Sequence, residues 1–202
     1  MKSLGALFLI GVTAILIFIF GPVVKEELRY QFDRWGSVQY SLDANPDFPD
    51  TGIRPIVPVD PQFSIVIPKI NANAAIIFNI DPNYPQESLI ALEDGVAHVK
   101  KTQLPDEEGN LFLFAQAADS FWRAGRYNPV FFLAGKLKQG DEISIFYRGR
   151  RYRYEVSEKK VIWPAEIEYW KAPSTGKTVT LMTGYPPGTI YKRLIIVAGL
   201  VD

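Results

Sequence analysis

Thr178-Val179-Thr180-Leu181-Met182-Thr183-Gly184-Tyr185-Pro186-Pro187-Gly188-Thr189-Ile190-Tyr191-Lys192-Arg193 reads as a strand, a turn and the opening of a return strand. Val179, Leu181 and Thr183 fall on one side and Thr180 and Met182 on the other, the two-residue period of a pleated strand. The strand stops at Gly184. Pro186-Pro187-Gly188 makes the turn, since proline presets φ and glycine admits positive φ without a steric cost. The return strand opens at Arg193, and residues 194–201 form an almost unbroken apolar run, as a strand buried on both faces requires.

Upstream, the pattern continues in short strands. Phe63-Ser64-Ile65-Val66-Ile67 alternates and meets Pro68; residues 74–78 and 110–116 read as further strands. Residues 142–147 and 151–156 flank Arg148-Gly149-Arg150 and predict a hairpin with positive φ at the glycine. In its second arm Tyr152, Tyr154 and Val156 face one way, and Arg151, Arg153 and Glu155 the other. Three helical insertions are predicted. Residues 85–94 turn Leu89 and Leu92 inward and close at Gly95. Asn128 and Pro129 read as N-cap and first helical residue of a second helix, with Val130, Leu133, Ala134 and Leu137 as its stripe and Gly140 as its end. Residues 163–170 form a short helix or turn. Many strands with few helices predict a mainly β domain over 63–202, closed into a barrel because closure hides sheet edges.

The stretch quoted first resembles the nucleophile strand of the sortases, membrane-anchored cysteine transpeptidases of the bacterial envelope. That strand reads Thr-Leu-x-Thr-Cys, with an arginine about nine residues on. Thr180, Leu181 and Thr183 match, and Arg193 stands at the arginine. Further matches follow in the family's order: Ile65-Val66-Ile67-Pro68-Lys69-Ile70, Gly95-Val96-Ala97-His98, Gly109-Asn110-Leu111-Phe112-Leu113-Phe114, Arg126-Tyr127-Asn128-Pro129-Val130-Phe131 and Gly140-Asp141-Glu142-Ile143. The resemblance covers about 63–202. It implies an eight-stranded sortase-like barrel with a groove for a sorting-signal peptide.

It also implies two losses. The cysteine position is Gly184, and the catalytic histidine position is Gln116, in Phe114-Ala115-Gln116-Ala117. Sortase chemistry needs a thiolate, a general acid and a cation for the oxyanion. An amide does not titrate near neutral pH and a glycine has no nucleophile, so only Arg193 remains. The expected protein is therefore a pseudoenzyme that holds an extended peptide or envelope protein through Arg193, Gln116, Thr183, Gly184 and His98. Two alternatives stay open. Thr183 could act as nucleophile with His98 as its base, or the domain could be a scaffold whose groove is irrelevant. His98 lies outside the catalytic histidine position, which suits a structural or groove-lining role. Ser120 and Asp119 read as a polar loop rather than half a triad. The basic hairpin arginines read as a solvated face, with anionic wall polymer or lipid headgroups as the alternative ligand. Phe121, Trp122, Trp163, Tyr169 and Trp170 read as core or groove lining.

Composition narrows the classes. Twenty-two basic residues balance twenty-two acidic ones, so the net basic field that counterion release demands is missing and nucleic acid is not an expected partner. The chain has no cysteine and a single histidine, which removes disulfides, thiolate chemistry and multi-histidine metal sites; no cofactor is expected. Residues 3–24 carry no charge and match the roughly 20 apolar residues of a membrane span. They are read as an uncleaved anchor over 1–24, since no small-residue cleavage pattern follows, with the domain outside the cell membrane. Residues 25–40 are read as a juxtamembrane helix segment, helical from Lys25 to Trp35 with Leu28, Phe32 and Trp35 on one face and Gly36 as its stop. Residues 41–62 hold five prolines and are read as a semi-rigid linker, or an arm packed on the domain through Ile56 and Val57.

Overall fold

The computed structural model describes residues 11, 13, 21, 24–43, 53–115, 130–167 and 176–201. Among these, eight strands form a closed barrel: β3 (Phe63–Ile67), β4 (Ala72–Ile80), β5 (Val96–Val99), β6 (Gly109–Phe114), β7 (Glu142–Tyr147), β8 (Arg150–Ile162), β9 (Lys177–Tyr185) and β10 (Lys192–Leu200). Their order is β10-β8-β7-β3-β4-β5-β6-β9. Two pairs, β4 with β5 and β6 with β9, run parallel; the others are antiparallel. The mainly β barrel expected from the strand periods is thus present.

Alternation sets the interior. Ile65, Ile67, Leu111, Leu113, Ile143, Ile145, Tyr154 and Leu181 are almost completely buried and belong to one cluster. Each aliphatic side chain so buried contributes about 1.5–3 kcal/mol relative to exposure. Tyr152, Tyr154 and Val156 of β8 pack on this cluster, as their spacing predicts. The β7–β8 turn has positive φ at both Arg148 and Gly149, the pair of left-handed residues that matches strand twist in a two-residue hairpin loop. β8 runs to Ile162, six residues past the predicted arm, because β10 pairs along it.

The helix α2 (Pro85–Asp94) lies over β4 and β5 and ends where the Gly95 amide donates to the Ala91 carbonyl. A Cβ on Gly95 would stand 2.3 Å from the Ala75 carbonyl oxygen, so only glycine lets the chain pass this close to β4. The predicted helix beginning at Asn128 is not seen where the chain is described. Residues 130–133 form turns and Ala134–Lys136 a 3-10 turn, although Val130, Leu133, Ala134 and Leu137 are buried as expected. The carbonyls of Gly135 and Leu137 accept from Lys159 Nζ at 2.8 and 2.7 Å, a side-chain partner rather than a helical amide. Asn128 and Pro129 lie outside the described residues. Of 163–170, Pro164–Glu166 is a 3-10 turn.

The N-terminal helix α1 covers 24–35 and ends at Gly36, as expected, and the rest of the segment 25–40 is a turn and the start of β1 (Gln39–Ser41). β1 pairs in parallel with β2 (Ile53–Pro55). The described part of the linker lies against the barrel: Ile56 is buried, Asn73 Nδ2 donates to the Val57 carbonyl, and the Val59 amide donates to Asn73 Oδ1. Over 53–62 this is the packed arm, held through the side chain of Ile56 and not through that of Val57, which is exposed; residues 44–52 lie outside the described residues. Nearly all of 3–24 lies outside the described residues, in which Gly11, Thr13 and Gly21 are helical. Among the described residues no helix is long and apolar enough to cross a membrane.

Candidate functional site

β9 and β10 build the site. Gly184 of β9 is the register partner of Arg193 of β10, and Thr183 that of Leu194. Val179 and Leu181 belong to the interior cluster, so alternation turns Thr183 inward with them. Gly184 and Arg193 therefore share the outer face, where directly opposed residues are neighbours. Gly184 is buried and Arg193 half-buried. Arg193 Nη1 donates to the Ile190 carbonyl at 2.7 Å and to the Lys192 carbonyl at 3.2 Å. These bonds fold the guanidinium back over the turn that precedes β10. That turn is closed by the Thr189 amide and hydroxyl, both donating to the Pro186 carbonyl.

β6 lies on the other side of β9. Phe114 is level with Met182, and the Ala115 amide donates to the Met182 carbonyl at 3.0 Å. Gln116, next in the chain, lies outside the described residues, as do Asp119, Ser120, Phe121, Trp122, Tyr169 and Trp170. Met182 is the register partner of Ile195, so these two lie on the same outer face as Gly184 and Arg193, Ile195 fully buried.

His98 is 1% exposed and faces the interior opposite Leu113. Its Nδ1 accepts from the Asn79 amide at 3.2 Å, which leaves the ring proton on Nε2. Nε2 donates toward Thr102, with Oγ1 at 2.9 Å and the carbonyl at 3.2 Å. The ring stacks on Phe78 at 5.2 Å and meets the edge of Phe63. Burial holds its pKa below the ordinary value, although hydrogen bonds at Thr102 and Gln103 oppose this. Thr183 sits two strands away, on β9, and one inward-facing position further along. The structure thus brings Gly184 and Arg193 together, puts Thr183 on the opposite face, and places His98 in the interior on other partners.

Of one wall of the site, the sequence pointed to Trp163 as core or groove lining and missed Ile190 and Tyr191, and Trp163 is exposed rather than core. Tyr191 and Trp163 meet edge to face at 5.2 Å, and Lys192 Nζ lies 4.5 Å from the Trp163 ring centre. Ile190, Tyr191 and Trp163 are all exposed beside Arg193. An Ile-Tyr pair inside a Pro-Gly turn was the available signal, because a tight turn cannot bury both.

Two of the hairpin arginines are engaged by the fold. Arg148 approaches Asp106 and stacks over Tyr147, and Arg151 bonds Glu142, Asp43 and Ser144. Among the described residues no cluster of potential metal ligands occurs.

The Sortase domain family matches residues 65–201. Sortase D of Bacillus subtilis is 29% identical over 133 residues, 64% of this chain and 59% of that protein, so the chain spans less than two thirds of it. Two solved structures are similar at 27% identity. Sortase C-1 of Actinomyces oris has a TM-score of 0.56 and covers 71% of this chain and 76% of its own. The Clostridium perfringens sortase D5 transpeptidase has a TM-score of 0.54 and covers 73% and 82%.

Proposed function

The chain belongs to the sortase family, and from that premise we propose that it is a membrane-anchored, catalytically inactive member that holds an extended peptide or envelope protein without cleaving it. The observation that carries the reading is the cross-strand pair Gly184–Arg193. In the family's frame Gly184 takes the place of the nucleophile and Gln116 that of the histidine. Neither side chain can form an acyl bond or move a proton at neutral pH. Arg193 keeps the cation, whose fork of donors suits a peptide carbonyl or carboxylate. The exposed wall of Trp163, Ile190 and Tyr191 gives apolar side chains a surface next to it.

Thr183 as a replacement nucleophile is disfavoured by two observations. It faces the interior with Leu181, and His98, its suggested base, is bonded to Asn79 and Thr102.

The test is capture of envelope-derived peptides by the full-length protein, followed by affinity measurement with Arg193→Ala. Loss of an arginine hydrogen bond to a carbonyl or carboxylate costs about 1.5–3 kcal/mol, so binding should weaken roughly tenfold or more. Equal affinity for the variant would refute the site. An acylated peptide covalently attached to the wild-type chain in intact-mass measurements would refute inactivity.

A further inference from the structure

Away from the site, the helix α1 presents two faces. Tyr30 packs on the barrel cluster and Glu27 accepts from Lys136 Nζ at 2.7 Å. The other side carries Val24, Leu28, Phe32 and Trp35, spaced as one helical stripe and exposed by 50, 50, 63 and 85%. Between the helix and the barrel lies a cavity of about 590 Å³. Arg34, Lys69, Lys136, Lys138 and Lys159 line it, and no acidic side chain does. Lys69 pairs with Asp141 and Lys136 with Glu27, while Lys159 bonds two carbonyls. Arg34 lies over the Tyr30 ring, and neither it nor Lys138 has a carboxylate partner among the described residues. The chain as a whole is neutral, so this excess of cations is local.

We propose that α1 lies along the surface of an anionic bilayer, its apolar stripe among the acyl chains and the cavity's cations on the lipid phosphates. Two observations and one physical rule select the bilayer as occupant. The stripe continues directly from the uncharged run 3–24. An amphipathic helix of this kind buries its apolar face at the headgroup boundary. The adjoining cations match the charge of phosphate headgroups, as juxtamembrane basic clusters do.

The absence of native cysteine makes a site-specific test available. The full-length chain carrying Phe32→Cys is spin-labelled and placed in nanodiscs of phosphatidylcholine alone, or of phosphatidylcholine with one third phosphatidylglycerol. Ile90→Cys, on the exposed side of α2, is the reference. We expect the label at 32 to be shielded from a water-soluble relaxation agent and accessible to oxygen, and the label at 90 to show the reverse. We expect phosphatidylglycerol to favour the immersed state, and Arg34→Gln with Lys138→Gln to reduce that preference about tenfold or more. Should the double variant not fold, Lys138→Gln alone is read in the same way. Equal exposure at 32 and 90 in both lipids overturns the proposal, as does self-association of the label in its place. Immersion that ignores both lipid charge and the variants overturns the headgroup assignment.

Discussion

His98 spends both ring nitrogens on the fold, and this has a pH signature. Its pKa is depressed by burial, so the unfolded chain binds a proton more readily than the folded one. The stability this contributes is complete above the ordinary value of 6.5 and is lost as pH falls from there through the depressed folded value. Urea midpoints measured from pH 7.5 to 5.5 should therefore decline, by up to about 1.4 kcal/mol per pH unit. His98→Asn should flatten that slope, because no other histidine is present; an unchanged slope would mean that the decline belongs to carboxylates. Gly184 supports a second residue-scale prediction. With Gly184→Cys and Gln116→His together, a thiol would stand opposite Arg193, and a neighbouring cation lowers a thiol's pKa. Its alkylation at neutral pH should outpace that of Ile90→Cys about tenfold; equal rates would mean the two positions do not form a site. That Gly184 and Arg193 belong to one site was legible only through the resemblance to sortases; alternation gives the face of each strand, and their cross-strand register comes from the fold. The partners of His98 were not, since Asn79 and Thr102 reach it from a bulged strand and a turn.

At the level of elements, the α2–β5 junction is the tightest described contact of a glycine. Gly95→Ala would push a methyl into the Ala75 carbonyl, and overpacking of this kind costs about 1–3 kcal/mol. Chemical denaturation should show that loss, whereas Gly135→Ala, with open space at its Cβ, should cost far less. The strands could be read because each has a buried side and an alternating pattern. The segment 130–137 could not. Its apolar spacing fits a helix equally well, but the segment folds as turns whose carbonyls are taken by Lys159, a residue of β8 whose approach no local pattern announces. The arm at 53–62 was similarly ambiguous. Prolines favour extended chain in either case, and the decisive bonds come from Asn73 on β4.

On the scale of the whole molecule, α1 is joined to the barrel by few contacts, chiefly Tyr30 and the Glu27–Lys136 pair. Both partners of that pair are partly solvated, so the ion pair adds little and the aromatic ring carries the attachment. Tyr30→Ala should therefore raise the rate of protease cleavage within 24–41 several-fold while leaving the barrel's Tm within a few degrees. A large fall in Tm would instead make α1 part of the cooperative unit. The barrel as a whole was foreseeable from strand count and from the ordered resemblance to sortases. The cationic cavity was not, because Arg34, Lys69, Lys138 and Lys159 lie far apart in the chain and converge only once the barrel is closed.

β10, last of the eight strands, is hydrogen-bonded along its length to both β8 and β9. During synthesis the sheet must wait for it, with β8 and β9 each presenting an unpaired rim until residue 200 has left the ribosome. Closure of the barrel is therefore the last step of its assembly, and until β10 is in place those two rims are where the chain is most exposed to pairing with another copy.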